Sequence, residues 1–537
     1  WEWTAASDEY GVIVLPVVGN LTDDDGDGQL TEADTPDVAF VNYTAGFVQA
    51  RLVALNGDDG TEIFVRTGFD GSAGVTIADV DGDGWTEIIA RREDFRVTAV
   101  DRFGAELWRS QRLELESYPQ PTVADLDNDG DIEVVFDAAI LKGLDGSLVG
   151  LIDNFTTRWR TPAVADLDLD GQREIVLGNV VAAPNGFTRW TNPGTGLGNF
   201  SAIADVDGDP EGEVLFVSGA SLYIHDSDGS ILGIYPLAGD RPGAPAVADF
   251  DGDGLAEIAI PENTSLSVYE VDGTRLWSSP IQDLTGLAGC SGYDFDGDGA
   301  YEVLYADETD LRIFDGRTGA VLFQDASHNS DTSWEYPVIA DADNDGSAEI
   351  VIASNVGLGG GGYRGVTMYG HATSAWAKSG PSWGTHDFAV TNLLGDGTVP
   401  TNETPSWQVD NLFRARPSVD FAGVSDPFLA VGEPCLTTCD VDGLVQISWQ
   451  IGNRGVRLGA GSTVRLLGID AAGSEVELAV AAIGVVESGE VLEGGIFEIR
   501  GPDLQGLVSL ILRVEGFGTD CLAGDTEVAL PSPCAGG

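Results

Sequence analysis

Several residue types on which common chemistries depend are scarce in this chain of 537 residues. Methionine occurs once and histidine four times. His225, His328, His371 and His386 lie in separate stretches with no partner at metal or triad spacing, so each reads as an ordinary surface or core residue. No Gly-x-Ser-x-Gly elbow, His-Glu-x-x-His pair or phosphate loop is present. The four consecutive glycines within residues 357–362 are not followed by Lys-Ser/Thr and read as a flexible loop. No catalytic residue is assigned on this basis, although paired acids for glycoside hydrolysis stay open where acids are so abundant.

Basic residues are also few, 26 against 88 acidic ones, for a net charge of −62. A surface of that sign repels nucleic acid and anionic membrane. No apolar run approaches the ~20 residues of a membrane-spanning helix. The chain starts at Trp1 without Met or a signal peptide, the start expected of a processed, secreted chain. Cysteine is limited to Cys290, read as a small apolar strand residue, and Cys435, Cys439, Cys521 and Cys534. Those four fit two disulfides in an oxidising compartment better than a zinc site, because no histidine lies nearby. Sequons at Asn20, Asn42, Asn154, Asn199, Asn263 and Asn402 are candidates for N-glycosylation.

Glycine, in contrast, is plentiful at 72 residues, and the acids are patterned. An apolar strand, then Asp-x-Asp-x-Asp-Gly-x-x-Glu, then a second apolar strand recurs with starts at Asp79, Asp125, Asp166, Asp249, Asp294 and Asp341. A degenerate copy starts at Asp205, where Pro210 is expected to distort the loop before Glu213 and to leave calcium weak or absent. An expanded copy starts at Asp23. Starts lie 39 to 47 residues apart, except for 56 after the first. Beyond each loop comes a hairpin around Asp-Gly, such as Val268–Trp277, whose turn needs positive φ. Four short strands in about 44 residues are the content of a propeller blade. Eight copies therefore predict an all-β, eight-bladed propeller, with seven blades and a cap as the alternative. Its expected span is 1–415, with 386–415 as the closing segment.

Carboxylates at positions 1, 3 and 5 of a tight loop, Gly at 6, a carbonyl at 7 and an acid at 9 assemble an oxygen-only shell for a hard cation. The expected calcium ligands are Asp79, Asp81, Asp83, the Trp85 carbonyl and Glu87 in the second copy. They are Asp125, Asp127, Asp129, Asp131 and Glu133 in the third, and Asp166, Asp168, Asp170, Gln172 and Glu174 in the fourth. The fifth offers Asp205, Asp207, Asp209 and Glu213, and the sixth Asp249, Asp251, Asp253, Leu255 and Glu257. Asp294, Asp296, Asp298, Ala300 and Glu302 serve the seventh, and Asp341, Asp343, Asp345, Ser347 and Glu349 the eighth. In the first copy Asp23, Asp25, Asp27 and Gln29 are followed by Asp34 at position 12, a spacing close to an EF-hand loop. Six to eight Ca²⁺ are expected, which offsets only about a quarter of the net charge.

With Pro-x-Val-Ala-Asp before the loop at Pro121–Asp125, Pro162–Asp166 and Pro245–Asp249, the repeats resemble the FG-GAP/VCBS family, whose calcium-bearing blades also form the integrin α propeller. That resemblance implies fold and metal over roughly residues 10–400. It leaves activity open, because the family spans adhesins, receptors and some polysaccharide lyases. Trp383–Arg416, with Val390-Thr391-Asn392 and Asp396–Pro400, resembles the end of bacterial propellers of this kind. Hairpins such as Gly273–Trp277 are similar to those of quinone-binding propellers, but their tryptophans read as packing between blades.

From about Pro417 the text changes to longer alternating strands, among them Val445–Ile451, Thr463–Leu467 and Leu507–Val514. Residues 416–537 therefore predict a β-sandwich, and Asn453-Arg454-Gly455 resembles adhesion-type immunoglobulin-like modules. Together these features imply a secreted or cell-surface, calcium-stabilised structural or adhesive protein. Its expected partners are surface polysaccharide, other surface proteins or copies of itself joined through the N-terminal strand and the sandwich. Within one chain, the strand around Trp1-Glu2-Trp3-Thr4 would instead close the propeller. The alternative function is a calcium-dependent polysaccharide-binding or polysaccharide-cleaving protein.

Overall fold

The computed structural model describes the chain except for residues 6–9, 25, 44–48, 115–117, 155–160, 195–199, 357–362, 373–375, 402, 419–426, 432–434, 437–442, 454–462, 472, 484–490, 516–526 and 532–537. Among the described residues all regular structure is β, apart from two short 3₁₀ turns at Ser406–Gln408 and Gly501–Leu504. Two compact units are formed, the first running through Ser418 and the second from Val419 to Gly537.

Among the described residues the first unit has eight sheets, built mainly from antiparallel strands that pair with their neighbours in sequence. Sheet one comprises Val17–Gly19, Asp37–Asn42, Ala50–Asn56 and Glu62–Phe69. Sheets two to seven repeat this plan, starting at Thr76, Pro121, Pro162, Phe200, Ala246 and Ser291. Sheet eight takes three strands from Val338–Gly370 and its fourth from the other end of the chain, Glu2–Thr4. The register there is Glu2↔Thr367, Trp3↔Val366 and Thr4↔Gly365. First strands of successive sheets contact one another from sheet one to sheet seven. Ser291 Oγ at the start of sheet seven donates to Pro337 O just before sheet eight at 2.7 Å, and the first strand of sheet one contacts that of sheet eight. This cyclic order of local four-stranded sheets is propeller-like.

Burial explains the strand texts. Inner strands such as Glu133–Phe136 and Glu174–Leu177 are buried throughout, because a neighbouring sheet covers each face. Fourth strands alternate half-buried and exposed, as in Leu148–Leu151 and Thr188–Thr191. Their aromatic residues join one sheet to the next. Trp277 Nε1 donates to Gly316 O at 2.5 Å, Trp108 to Gly143 O at 2.6 Å, and Trp190 to Ser227 O at 3.0 Å. Trp1 Nε1 does the same across the closure, to Gly57 O at 2.5 Å. The Asp-Gly hairpins receive these rings. Gly319 has φ +69° and a Cβ there would lie 2.3 Å from the Trp277 ring, so both backbone and space demand glycine. The tryptophans are thus packing groups between sheets, as their hairpin context suggests.

In the second unit the predicted alternating runs are strands of two four-stranded antiparallel sheets. Leu444–Asn453 lies beside Pro427–Val431, Cys435–Leu436 and Val491–Arg500, while Thr463–Asp470 lies between Glu475–Ala482 and Leu507–Glu515. Val445, Ile447, Trp449, Val464, Leu466, Leu510 and Leu512 share one apolar core.

Candidate metal centres

Each acidic loop links the first two strands of its sheet, and its backbone curls around the first aspartate. In the second loop Asp79 Oδ1 accepts from Gly82 N at 2.7 Å, and Oδ2 from Gly84 N at 3.0 Å. Asp83 Oδ1 accepts from Trp85 N at 2.9 Å. Glu87, the first residue of the following strand, accepts from Val80 N through Oε2 at 3.1 Å. The Glu contact recurs at Glu133, Glu174, Glu213, Glu257, Glu302 and Glu349, at 2.8–3.2 Å. These bonds fix the loop backbone and bring the acids' oxygens together. Oxygens of Asp249, Asp251, Asp253 and Glu257 lie within 4.8 Å of one another, as do those of Asp79, Asp81 and Glu87, of Asp125, Asp127 and Glu133, and of Asp166, Asp168 and Glu174.

This geometry fits a hard cation. Glu213 Oε1, Glu257 Oε1 and Asp341 Oδ1 are buried without a hydrogen-bond partner, a costly state that an ion would relieve. Burial pushes the glutamates up, to about 9 at Glu87 and Glu349, about 8 at Glu174, Glu213 and Glu257, and about 7 at Glu133. Neighbouring aspartates push in the same direction at each, and Asp341 rises to about 6.

Two loops differ from expectation. Pro210 leaves the acids of the fifth together: Val206 N still reaches Glu213 Oε2 at 2.8 Å, and Asp205, Asp207 and Glu213 converge like the others. Proline removes the donor that Gly84 supplies to Asp79 Oδ2 in the second loop, and its fixed negative φ replaces the positive φ that Gly84 has there. In the first loop, Asp34 takes Asp24 N at 2.9 Å, and Asp25 lies outside the described residues. The acid at the strand-start position is one that the repeat pattern did not single out. Asp37 pairs with Gly19 as Glu87 pairs with Ala78, and it accepts from Leu21 N at 2.9 Å. Burial raises it to about 7, and its Oδ1 is buried without a partner. Its signal was the apolar strand that follows, Val38-Ala39-Phe40, at the place where other copies carry Glu-Val-Val-Phe.

The segment after sheet eight is built into the first unit, and it ties the loops together. Asp341 N donates to Gly380 O at 3.0 Å, Ile77 N to Gly384 O at 3.0 Å, and Asp79 N to Gly397 O at 2.9 Å. Asn411 accepts from Asp205 N at 2.9 Å and donates to Asp205 O at 2.7 Å. Glu403 pairs with the buried Arg173 at 3.2 Å, and Ala415–Arg416 adds a parallel strand to sheet seven. Buried Arg414 donates to Ser201 O and Pro245 O at 2.8 and 2.9 Å.

His225 lies against Trp190, 4.9 Å between ring centroids, and Nδ1 is 3.0 Å from Gly229 O. His328 is buried beside Ser354 Oγ and pushed down to about 4 by burial, His386 is buried, and His371 is exposed. Cys290 is fully buried. Cys439, Cys521 and Cys534 lie outside the described residues, and Cys435 is on a strand. Among the sequons, Asn154 is exposed, whereas Asn20 and Asn42 are wholly buried, so the folded chain does not present them for glycosylation. Asn263 is half-buried, and Asn199 and Asn402 lie outside the described residues.

Repeated acidic loops on propeller-like sheets define a class, and the comparisons agree with it. Residues 294–352 match the model of the FG-GAP-like repeat. No curated protein matches the chain. Among solved structures, the fold resembles the biofilm matrix protein Bap1 of V. cholerae, with a TM-score of 0.68 and 20% identity over 78% of this chain and 98% of that one. Rhamnogalacturonan lyase YesW aligns with a TM-score of 0.49 and 19% identity, covering 64% and 70% of the two chains. A Bacillus licheniformis rhamnogalacturonan lyase aligns with a TM-score of 0.48 and 18% identity, covering 76% and 77%. At these identities the Bap1 likeness shows the fold alone. No described helix is long and apolar enough to cross a membrane.

Proposed function

We propose that this chain is an extracellular, calcium-stabilised scaffold of a surface matrix, an eight-bladed propeller followed by an immunoglobulin-like sandwich, with a structural or adhesive role. The observation that carries this reading is the repetition of one anionic loop geometry in sheet after sheet. Clustered carboxylates whose buried oxygens lack partners destabilise an ion-free ring, and millimolar extracellular calcium would relieve that cost at every repeat. Each of the eight sheets counts as one blade, and Glu2–Thr4 closes the ring within the chain. A copy-to-copy filament through that strand would first have to break its pairing with Gly365–Gly370.

The name of the V. cholerae relative, a biofilm matrix protein, is consistent with this role. Calcium ligands here are Asp79, Asp81, Asp83 and Glu87 and their equivalents in the other loops, with Asp37 added in the first. Surface polysaccharide is the proposed partner. To test this, purified chain is incubated with cell-surface matrix in calcium or in chelator and then sedimented. Calcium-dependent retention supports the reading; equal recovery in the supernatant under both conditions refutes the adhesive role.

A further inference from the structure

The fourth loop carries a cation of its own. Arg189, on the fourth strand of its sheet, reaches back to the loop at Asp166. Its Nη1 lies 2.7 Å from Asp168 Oδ2 and its Nη2 lies 3.2 Å from Asp170 Oδ2. Nη1 also stands 2.8 Å from Glu174 Oε1, an ion pair without hydrogen-bond alignment, and that carboxylate is buried. Three acids that the repeat pattern assigns to one metal are thus bridged by one guanidinium.

The repeat shows that this is a substitution. The residue before the inter-sheet aromatic is Leu107 in sheet two, Leu276 in sheet six and Leu322 in sheet seven, each aligned through the pairing of Trp108 with Ala99, Trp277 with Val268 and Phe323 with Ile313. Trp190 pairs equivalently with Val181, which places Arg189 at the leucine position. The side chain at this position faces its own loop, since Leu322 lines a cleft with Asp296 and Glu302. Leucine leaves the carboxylates to an external ion, whereas arginine supplies a competitor tethered in place.

We propose that Arg189 guards the fourth site, so that a divalent cation binds there only by displacing the guanidinium. The fourth loop is then the weakest of the intact Asp-x-Asp-x-Asp-Gly sites despite its regular sequence, and it keeps its shape when calcium is low. This inference rests on the calcium reading of the loops.

The test is calcium titration calorimetry and ion counting on the full chain, for wild type, Arg189→Gln and Arg189→Leu. Both variants are expected to bind the weakest ion class of the wild type at least about tenfold more tightly, because the three ion pairs of Arg189 no longer compete. They are also expected to be less stable than wild type in chelator and equal to it in excess calcium. Isotherms identical to wild type overturn the proposal, as does a variant that stays unfolded in millimolar calcium, since arginine would then be structural. Failure of the wild type itself to bind calcium refutes the reading of the loops instead.

Discussion

The two units solve the problem of cohesion differently. In the first, sheets form mainly from strands adjacent in sequence, with an acidic loop between the first two, and among the described residues only sheets seven and eight borrow a distant strand. Cohesion between sheets comes from repeated small devices: a ring over a glycine, a tryptophan N–H on a neighbouring carbonyl, and a closing segment bonded to several loops. The second unit has ten-residue strands, Leu444–Asn453 and Val491–Arg500, and one apolar core around Trp449. The difference teaches where each is vulnerable. On the proposed reading, sheets that carry repeated carboxylate clusters depend on solution cations and pH, whereas the second unit's apolar core depends on packing volume.

The largest effect expected from this contrast is on pH dependence without metal. Folding raises the loop glutamates from about 4.5 to about 7–9. The folded state therefore holds more protons than the unfolded one in that window, and stability falls as pH rises through it. One retained unit at each glutamate is about 1.4 kcal/mol. Summed over the ring, that rivals the ~5–15 kcal/mol margin of a whole domain. In chelator, the first unit's melting temperature should drop steeply between pH 5 and about 9, and saturating calcium should flatten the curve. Melting that is flat with pH in chelator removes the loops from the stability account.

Next in size are two core truncations. Trp277→Ala and Trp449→Ala should each cost about 3–5 kcal/mol, lowering only the transition of the unit that holds the residue. Calorimetry resolves the two; a shift of both transitions by either variant breaks the comparison.

Deleting residues 1–4 removes the fourth strand of sheet eight and the Trp1 and Trp3 side-chain bonds to Gly57 O and Glu62 Oε1. It should lower the first transition alone and speed proteolysis. Unchanged protease resistance would show that closure does not depend on this strand.

The smallest effect belongs to Pro210→Gly. It restores one donor to the fifth loop, worth about 1 kcal/mol, and should tighten one calcium site several-fold in titration calorimetry. A weakened site would mean that proline preorganises the loop.

Much of this was legible in the sequence because it is periodic. Asp-x-Asp-x-Asp-Gly-x-x-Glu fixes loop and strand start together, and Asp-Gly marks the hairpin that receives the next ring. Non-periodic features were not legible. Asp37 stands 14 residues after Asp23, not eight, and is aspartate rather than glutamate. Arg189 acts on acids 15 to 21 residues upstream, through a strand register that no local spacing reveals. The closing segment bonds partly through backbone amides and carbonyls, as at Gly380, Gly384 and Gly397, which residue types do not encode. Sequon patterns are likewise blind to burial, as Asn20 and Asn42 show.

The most direct test of the account is two-transition calorimetry with and without chelator, paired with elemental counting of bound calcium. The account predicts about six to eight ions per chain, a large fall of the first transition on chelation and no change in the second. Fewer than about three ions, or a first transition indifferent to chelator, would contradict it and reduce the loops to surface charge.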